Sequence, residues 1–209
     1  LANQVKTTAV ETPKFWITQG QASLDKADRI ANNKKKAKNV ILFIGDGMGI
    51  STITASRIFE GQSQPGNRGG EEHSLSFEKF PHVALSKTYQ VNQQTSDSAP
   101  TMSSMMTGVK TNDGELSVGA NVARGELSGK IIDDNKTVTL LEQAEDRGMS
   151  TGIISTARIT HATPAACYAH ISNRDWEADS KLPAGSSVKD IAYQLVNFHK
   201  TNLKSDGLE

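Results

Sequence analysis

The chain has 209 residues and 36% apolar content, enough for one sizeable core, so a single domain over 1–209 is the default expectation. Its 23 basic and 23 acidic residues cancel, which leaves no global field to gather nucleic acid as a dedicated partner or to hold an anionic membrane. No apolar run approaches the ~20 residues of a membrane span, and the single Cys167 forms no intrachain disulfide and leaves the redox compartment open.

Residues 1–11 are polar and unpatterned, reading as a loose arm; a start at Leu1 without an apolar leader suits a processed or recombinant mature chain. Thr12 followed by Pro13 predicts a helix start, and Phe15, Trp16, Leu24, Ala27, Ile30 and Ala31 continue an apolar face toward the solvated run Lys34, Lys35, Lys36 and Lys38. A strand is expected over 39–44 and a helix over 50–59, closed by Gly61. Residues 62–72 read as a surface loop and 83–89 as a second strand. Pro100 and Gly108 bracket another helix, with Ser98 at or near its N-cap. A helix over 137–147 closed by Gly148, a strand over 150–155 and a last helix over 188–196 complete the order. The alternation indicates an α/β fold, a mostly parallel central sheet flanked by helices.

Four stretches carry candidate chemistry. In NVILFIGDGMG (39–49) the expected strand runs into Gly-Asp-Gly, which delivers the Asp46 carboxylate to a strand end, where ligands of such sheets collect. The dinucleotide pattern G-x-G-x-x-G fails at Ile50, and no Gly-Lys-Ser/Thr comes after it, so a phosphate-cradling loop is not supported. Ser98 at a helix start has the free N–H groups and dipole that favour an anion. No G-x-S-x-G elbow or adjacent histidine activates it, and a bound cation is the remaining route to an alkoxide. His161 and Thr163, alternating in a segment expected to be extended before Pro164, offer an imidazole and a hydroxyl on one side. Arg174 suits two parallel bonds to a phosphoryl group. Read alone, each stretch also has an ordinary meaning: an Asp-Gly turn, a serine cap, a hydrogen-bonding histidine, and an arginine paired with Asp175.

In this order and spacing, IGDGMG, SDSAPTMSSMMTGVKTN, THATPAA and AHISNRDW resemble the alkaline phosphatase family from about residue 39 to 176. The resemblance implies an alkaline phosphatase-like fold in which Asp46 bridges a catalytic Zn2+ and a Mg2+, and Ser98 is the nucleophile that becomes phosphorylated. It implies that Asp97 orients the site, Arg174 holds the phosphoryl oxygens, and His161 with Thr163 belongs to the magnesium end. Pro100 and Met102 stand where the family usually has small residues, Thr95 where Ile or Val is frequent, and His161 where some members carry aspartate. None of the five histidines has an aspartate four residues before it or immediately before it, the spacing of the family's further zinc ligands. The chain is therefore expected to be the N-terminal portion of such an enzyme, with the C-terminal remainder missing or carried elsewhere and little activity on its own.

The same resemblance implies metal-dependent hydrolysis of phosphate monoesters through a phosphoserine, in a periplasmic or extracellular protein, often a homodimer. The alternatives are a related phosphodiester or sulfate ester hydrolase, or a non-catalytic anion- or metal-binding fragment.

Overall fold

The computed structural model describes residues 12–31, 34–64 and 69–198, and the arm expected over 1–11 lies outside them. Backbone contacts group the chain into two compact units, Leu1–Leu85 and Ser86–Glu209.

In the first unit, α1 (Pro13–Asp28) opens as expected: the Thr12 hydroxyl accepts the Phe15 N–H at 3.2 Å, and Pro13 occupies a position with no helical N–H to lose. None of its side chains is buried. The turn carrying Asp46 closes with Met48 N–H donating to the Gly45 carbonyl at 3.2 Å, and Gly47 takes a φ of +68°, which its missing Cβ permits. α2 (Ile50–Ser63) comes next. Arg57 donates to both Glu78 oxygens at 3.0 and 3.1 Å, and Glu78 also accepts the Leu75 N–H at 2.9 Å, fixing the short 3₁₀ turn Ser76–Lys79.

The second unit holds α3 (Ser98–Thr107), α4 (Gly129–Asp134), α5 (Leu140–Glu145), α6 (Ala162–Ala165) and α7 (Ile191–Val196), with a 3₁₀ turn at Asp179–Lys181. Its core joins Ala99, Met102 and Met106 of α3 to Leu116, Val118 and Ile171, with Tyr168 and Ile191 also enclosed. The larger aliphatic side chains among them, such as Leu116, Ile171 and Ile191, are each worth about 1.5–3 kcal/mol when fully buried. α3 packs against α5 and α6. Two antiparallel bridges, Leu116 with Ile171 and Val118 with Lys136, tie the connecting segments.

Ser117 takes a positive φ of 46° at the centre of this unit. Its N–H donates to Ser103 Oγ at 2.9 Å, its hydroxyl to the Ala166 carbonyl at 2.8 Å, and its own carbonyl accepts Thr137 N–H at 3.0 Å and His170 Nδ1 at 2.7 Å. A strained residue persists where its surroundings over-determine it, and this one is held from four sides.

Several expectations are revised. Among the described residues no strand forms; 39–44, 83–89 and 150–155 carry no ladder, so the parallel sheet is not found. Most of their apolar side chains stand in solvent, Phe43 at 87% and Val83 at 96% exposure. A β-prone segment becomes a strand only when another backbone pairs with it, and propensity says nothing about that partner. The helix expected over 137–147 starts at Leu140 because Thr139 and Glu142 form a capping box, at 3.2 Å from Thr139 Oγ1 to Glu142 N–H and 2.7 Å from the Glu142 carboxylate to Thr139 N–H. The last helix starts at Ile191, not 188, since the Asp190 carboxylate accepts Tyr193 N–H at 2.8 Å.

Gly108 ends α3 at a φ of 74°, its N–H donating to the Ser104 carbonyl at 2.9 Å, and an added Cβ would meet nothing within 4 Å. Gly108→Ala therefore isolates the left-handed strain and is expected to cost about 1 kcal/mol. An unchanged urea midpoint would contradict this.

Candidate functional site

The site grows from the start of α3. Asp97, not Ser98, is the N-cap: its Oδ1 accepts the Ala99 N–H, and its carbonyl accepts the Thr101 hydroxyl at 2.7 Å. Ser98 is the first helical residue. Aspartate and serine cap about equally well, so the earlier of two adjacent candidates takes the role here. With one first-turn N–H held by Asp97 and another removed by Pro100, the helix start has little donor capacity left for an anion, and a phosphate would depend on a side chain.

Arg174 is that side chain. Its backbone N–H donates to the Gly114 carbonyl at 2.8 Å, beside the bridge in which Leu116 and Ile171 exchange bonds of 2.9 and 3.0 Å. From this anchor Nη1 donates to Ser98 Oγ at 3.0 Å and lies 3.3 Å from Asp97 Oδ1, while Nη2 reaches His161 Nε2 at 3.3 Å. The pairing with Asp175 suggested by chain adjacency is not found; the Asp175 carboxylate lies 3.9 Å from Arg124. A guanidinium touching the serine oxygen favours negative charge there, whether an alkoxide or an incoming phosphoryl oxygen.

His161 and Thr163 do not share an extended segment. His161 is the N-cap of α6 and Thr163 lies within that helix, because Pro164 sits in the first turn, where its missing N–H costs nothing. A guanidinium only donates, so His161 Nε2 is the acceptor and a neutral ring carries its hydrogen on Nδ1. That Nδ1 is buried without a hydrogen-bond partner. A buried, orphaned ring nitrogen is donor chemistry that a divalent cation accepts once the ring hydrogen sits on Nε2, a tautomer that gives up the Arg174 contact. Among the described residues no three His, Cys, Asp or Glu side chains gather as a metal site. The structure thus brings together Asp97, Ser98, His161 and Arg174, with Thr163 in the adjoining helix; Asp46 belongs to the first unit, exposed in its turn.

Three supports were not singled out from sequence. Gln90, only 3% exposed, accepts the Asp97 N–H at 3.3 Å. His170, quoted only as part of a motif, sets Nδ1 on the Ser117 carbonyl at 2.7 Å and Nε2 on Glu142 at 3.0 Å. Burial pushes the Glu142 carboxyl up, but the hydrogen bond and charge of His170, with the Thr139 amide, outweigh it and the net direction is down. Glu177 accepts Arg158 Nη2 at 2.7 Å and Nε at 3.0 Å, and the Thr160 hydroxyl at 2.6 Å, bracing the segment before His161. Cys167 is no rival nucleophile, since burial pushes its thiol up to about 12.

A family model described as alkaline phosphatase matches residues 37–205. The tissue-nonspecific alkaline phosphatase isozyme of Gallus gallus is 46% identical over 189 residues, covering 88% of this chain and 36% of that protein. The Homo sapiens isozyme is 43% identical over 201 residues, 94% of this chain and 38% of the relative. The crystal structure of a cold-active alkaline phosphatase from a psychrophilic Shewanella superposes with a TM-score of 0.50 at 30% identity, over 64% of this chain and 30% of that one. The chain thus spans little more than a third of the length of these curated relatives, and its fold is alkaline phosphatase-like.

The Arg158 hydrogen bond and charge, joined by Thr160 and opposed by partial burial, hold the Glu177 carboxyl down to about 2. Its unfolded value is ~4.3, so its stabilising contribution is complete above that pH and disappears as pH falls through the folded value. Glu177→Gln is expected to flatten the acid limb of melting temperature against pH between about 5 and 2, and an unaltered limb would contradict the clasp.

Proposed function

The chain belongs to the alkaline phosphatase family, and on that premise we propose that it carries the nucleophile and phosphate clamp of an enzyme hydrolysing phosphate monoesters through a phosphoserine at Ser98. The observation that carries the reading is the 3.0 Å contact between Arg174 Nη1 and Ser98 Oγ. On this reading residues 1–209 are the N-terminal portion of one alkaline phosphatase-like domain. The exposed segments 39–44, 83–89 and 150–155 are strands of its mostly parallel sheet, paired in the complete enzyme.

Asp46, Ser98, His161 and Thr163 are the residues of this chain that would be offered to Zn2+ and Mg2+, and the remaining ligands would come from the C-terminal remainder. Bound cations supply charge that stabilises a serine alkoxide and the oxygens of the transferring group. Ser98 Oγ forms a bond to phosphorus as the ester P–O bond breaks, and the alcohol leaves with a proton. Asp97 holds the Arg174 guanidinium against that oxygen, so the clamp is oriented before substrate arrives. Arg174 spreads its donors over phosphoryl oxygens as their charge rearranges. Water then cleaves the Ser98 ester and inorganic phosphate departs. A periplasmic or extracellular location and a homodimer rest on the family resemblance; no helix among the described residues is long and apolar enough to cross a membrane.

In the intact natural protein, Ser98→Ala is expected to lower kcat/KM for a phosphate monoester by at least about 1,000-fold. Thorough chelation should abolish turnover and added Zn2+ with Mg2+ should restore it. Full activity in either the variant or the chelated protein would refute the assignment, and faster turnover of a diester or sulfate ester would move the substrate class.

A further inference from the structure

We propose that Gln90 is a positioning residue for the nucleophile, setting the turn at Asp97 and Ser98 through its side-chain amide; this rests on the reading of Ser98 given above. The side chain is buried, yet both ends of its amide are satisfied. Oε1 accepts the Ser96 hydroxyl at 3.0 Å and the Asp97 N–H at 3.3 Å. Nε2 donates to Asp113 Oδ1 at 3.2 Å and faces Asn92 Oδ1 at 3.4 Å. The reversed amide would set an N–H2 against the Asp97 N–H and a carbonyl against two acceptor oxygens, whatever way the Ser96 hydroxyl turns, so only one orientation fits.

The importance lies in what Gln90 joins. The Asp97 N–H precedes α3 and has no helical partner, so Gln90 takes the one backbone donor that fixes the tilt of the N-cap. Asp97 in turn presents Oδ1 both to the Ala99 N–H and to Arg174. On the far side, Asp113 is itself held by Arg124, and the Asp113 N–H donates to Asn92 Oδ1 at 3.0 Å. The next residue, Gly114, accepts the Arg174 backbone N–H. One segment, 113–114, therefore locates the guanidinium through the main chain and the serine through Gln90. Loss of the amide lets the serine oxygen drift relative to the guanidinium while the phosphate clamp itself survives. Positioning of this kind acts on kcat more than on KM, and a shift of about 1 Å can cost ~100-fold.

The test compares Gln90→Met, which removes the amide at similar volume, with Gln90→Asn, which keeps it but shortens the reach by one methylene, both in the intact natural protein. Each is expected to lower kcat for a phosphate monoester about 10- to 100-fold with KM within about 3-fold, and to speed hydrogen exchange at the Asp97 amide at least about tenfold, read by mass spectrometry with fragmentation. If the methionine variant does not fold, the asparagine variant decides. Exchange at the wild-type rate overturns the proposal whatever the activity, as does an unchanged kcat in an enzyme shown to work through Ser98. A wild-type protein that never phosphorylates Ser98 refutes the function instead, and the Asp97 exchange still reports on the turn.

Discussion

The Arg174 guanidinium is the joint on which the second unit's site is assembled. A charged group drawn partly out of water must have its donors met, and here they are met by residues from separate parts of the chain: Asp97, Ser98 and His161. Its backbone is fixed independently, to Gly114. Because both ends are tied, displacement of α3, of the α6 cap or of the 113–114 segment is felt at the same nitrogen atoms. The remainder of the unit keeps those three elements in register.

Packing and polar bonding divide that task. α3 is pressed against α5 and α6 by apolar contacts such as Ala99 and Met102, which are strong but tolerate sliding. Sliding is limited by directional bonds through Ser117, whose amide, hydroxyl and carbonyl reach Ser103, Ala166, Thr137 and His170. Glu115 belongs to the same interior, accepting the Thr111 hydroxyl at 2.6 Å; burial pushes its carboxyl up while Thr111 and Asn112 draw it back. Most polar groups are thus partnered where the core is tightest, and among the described residues Thr137 Oγ1 and His161 Nδ1 are the buried side-chain atoms without a partner.

What could be read from sequence was whatever a few neighbouring residues determine. Pro13 and Gly108 mark helix ends by local chemistry, and those ends are found, whereas the equally local box of Thr139 and Glu142 was passed over and the helix start was placed three residues early. Pro164 was ambiguous for the same local reason, since proline favours an extended predecessor and the first turn of a helix alike. The β-rich segments show apolar character but not the pairing partner, which is a non-local property. Arg174 illustrates the limit most clearly: Asp175 is next in sequence, yet adjacent side chains diverge, and the partner that forms is 77 positions away at Asp97. Gln90 gave no signal at all within TYQVNQQT, because its meaning exists only once residue 113 has closed on it.

In the proposed reaction the Ser98 oxygen, held against Arg174, is the atom that takes the phosphoryl group. The most direct test is to incubate the intact natural protein with a phosphomonoester labelled on phosphorus, quench at low pH where a serine ester survives, and map the label by peptide sequencing. Stoichiometric label on Ser98 that chases into inorganic phosphate is the expected result. Turnover with no covalent label, or label on any other residue, would contradict it.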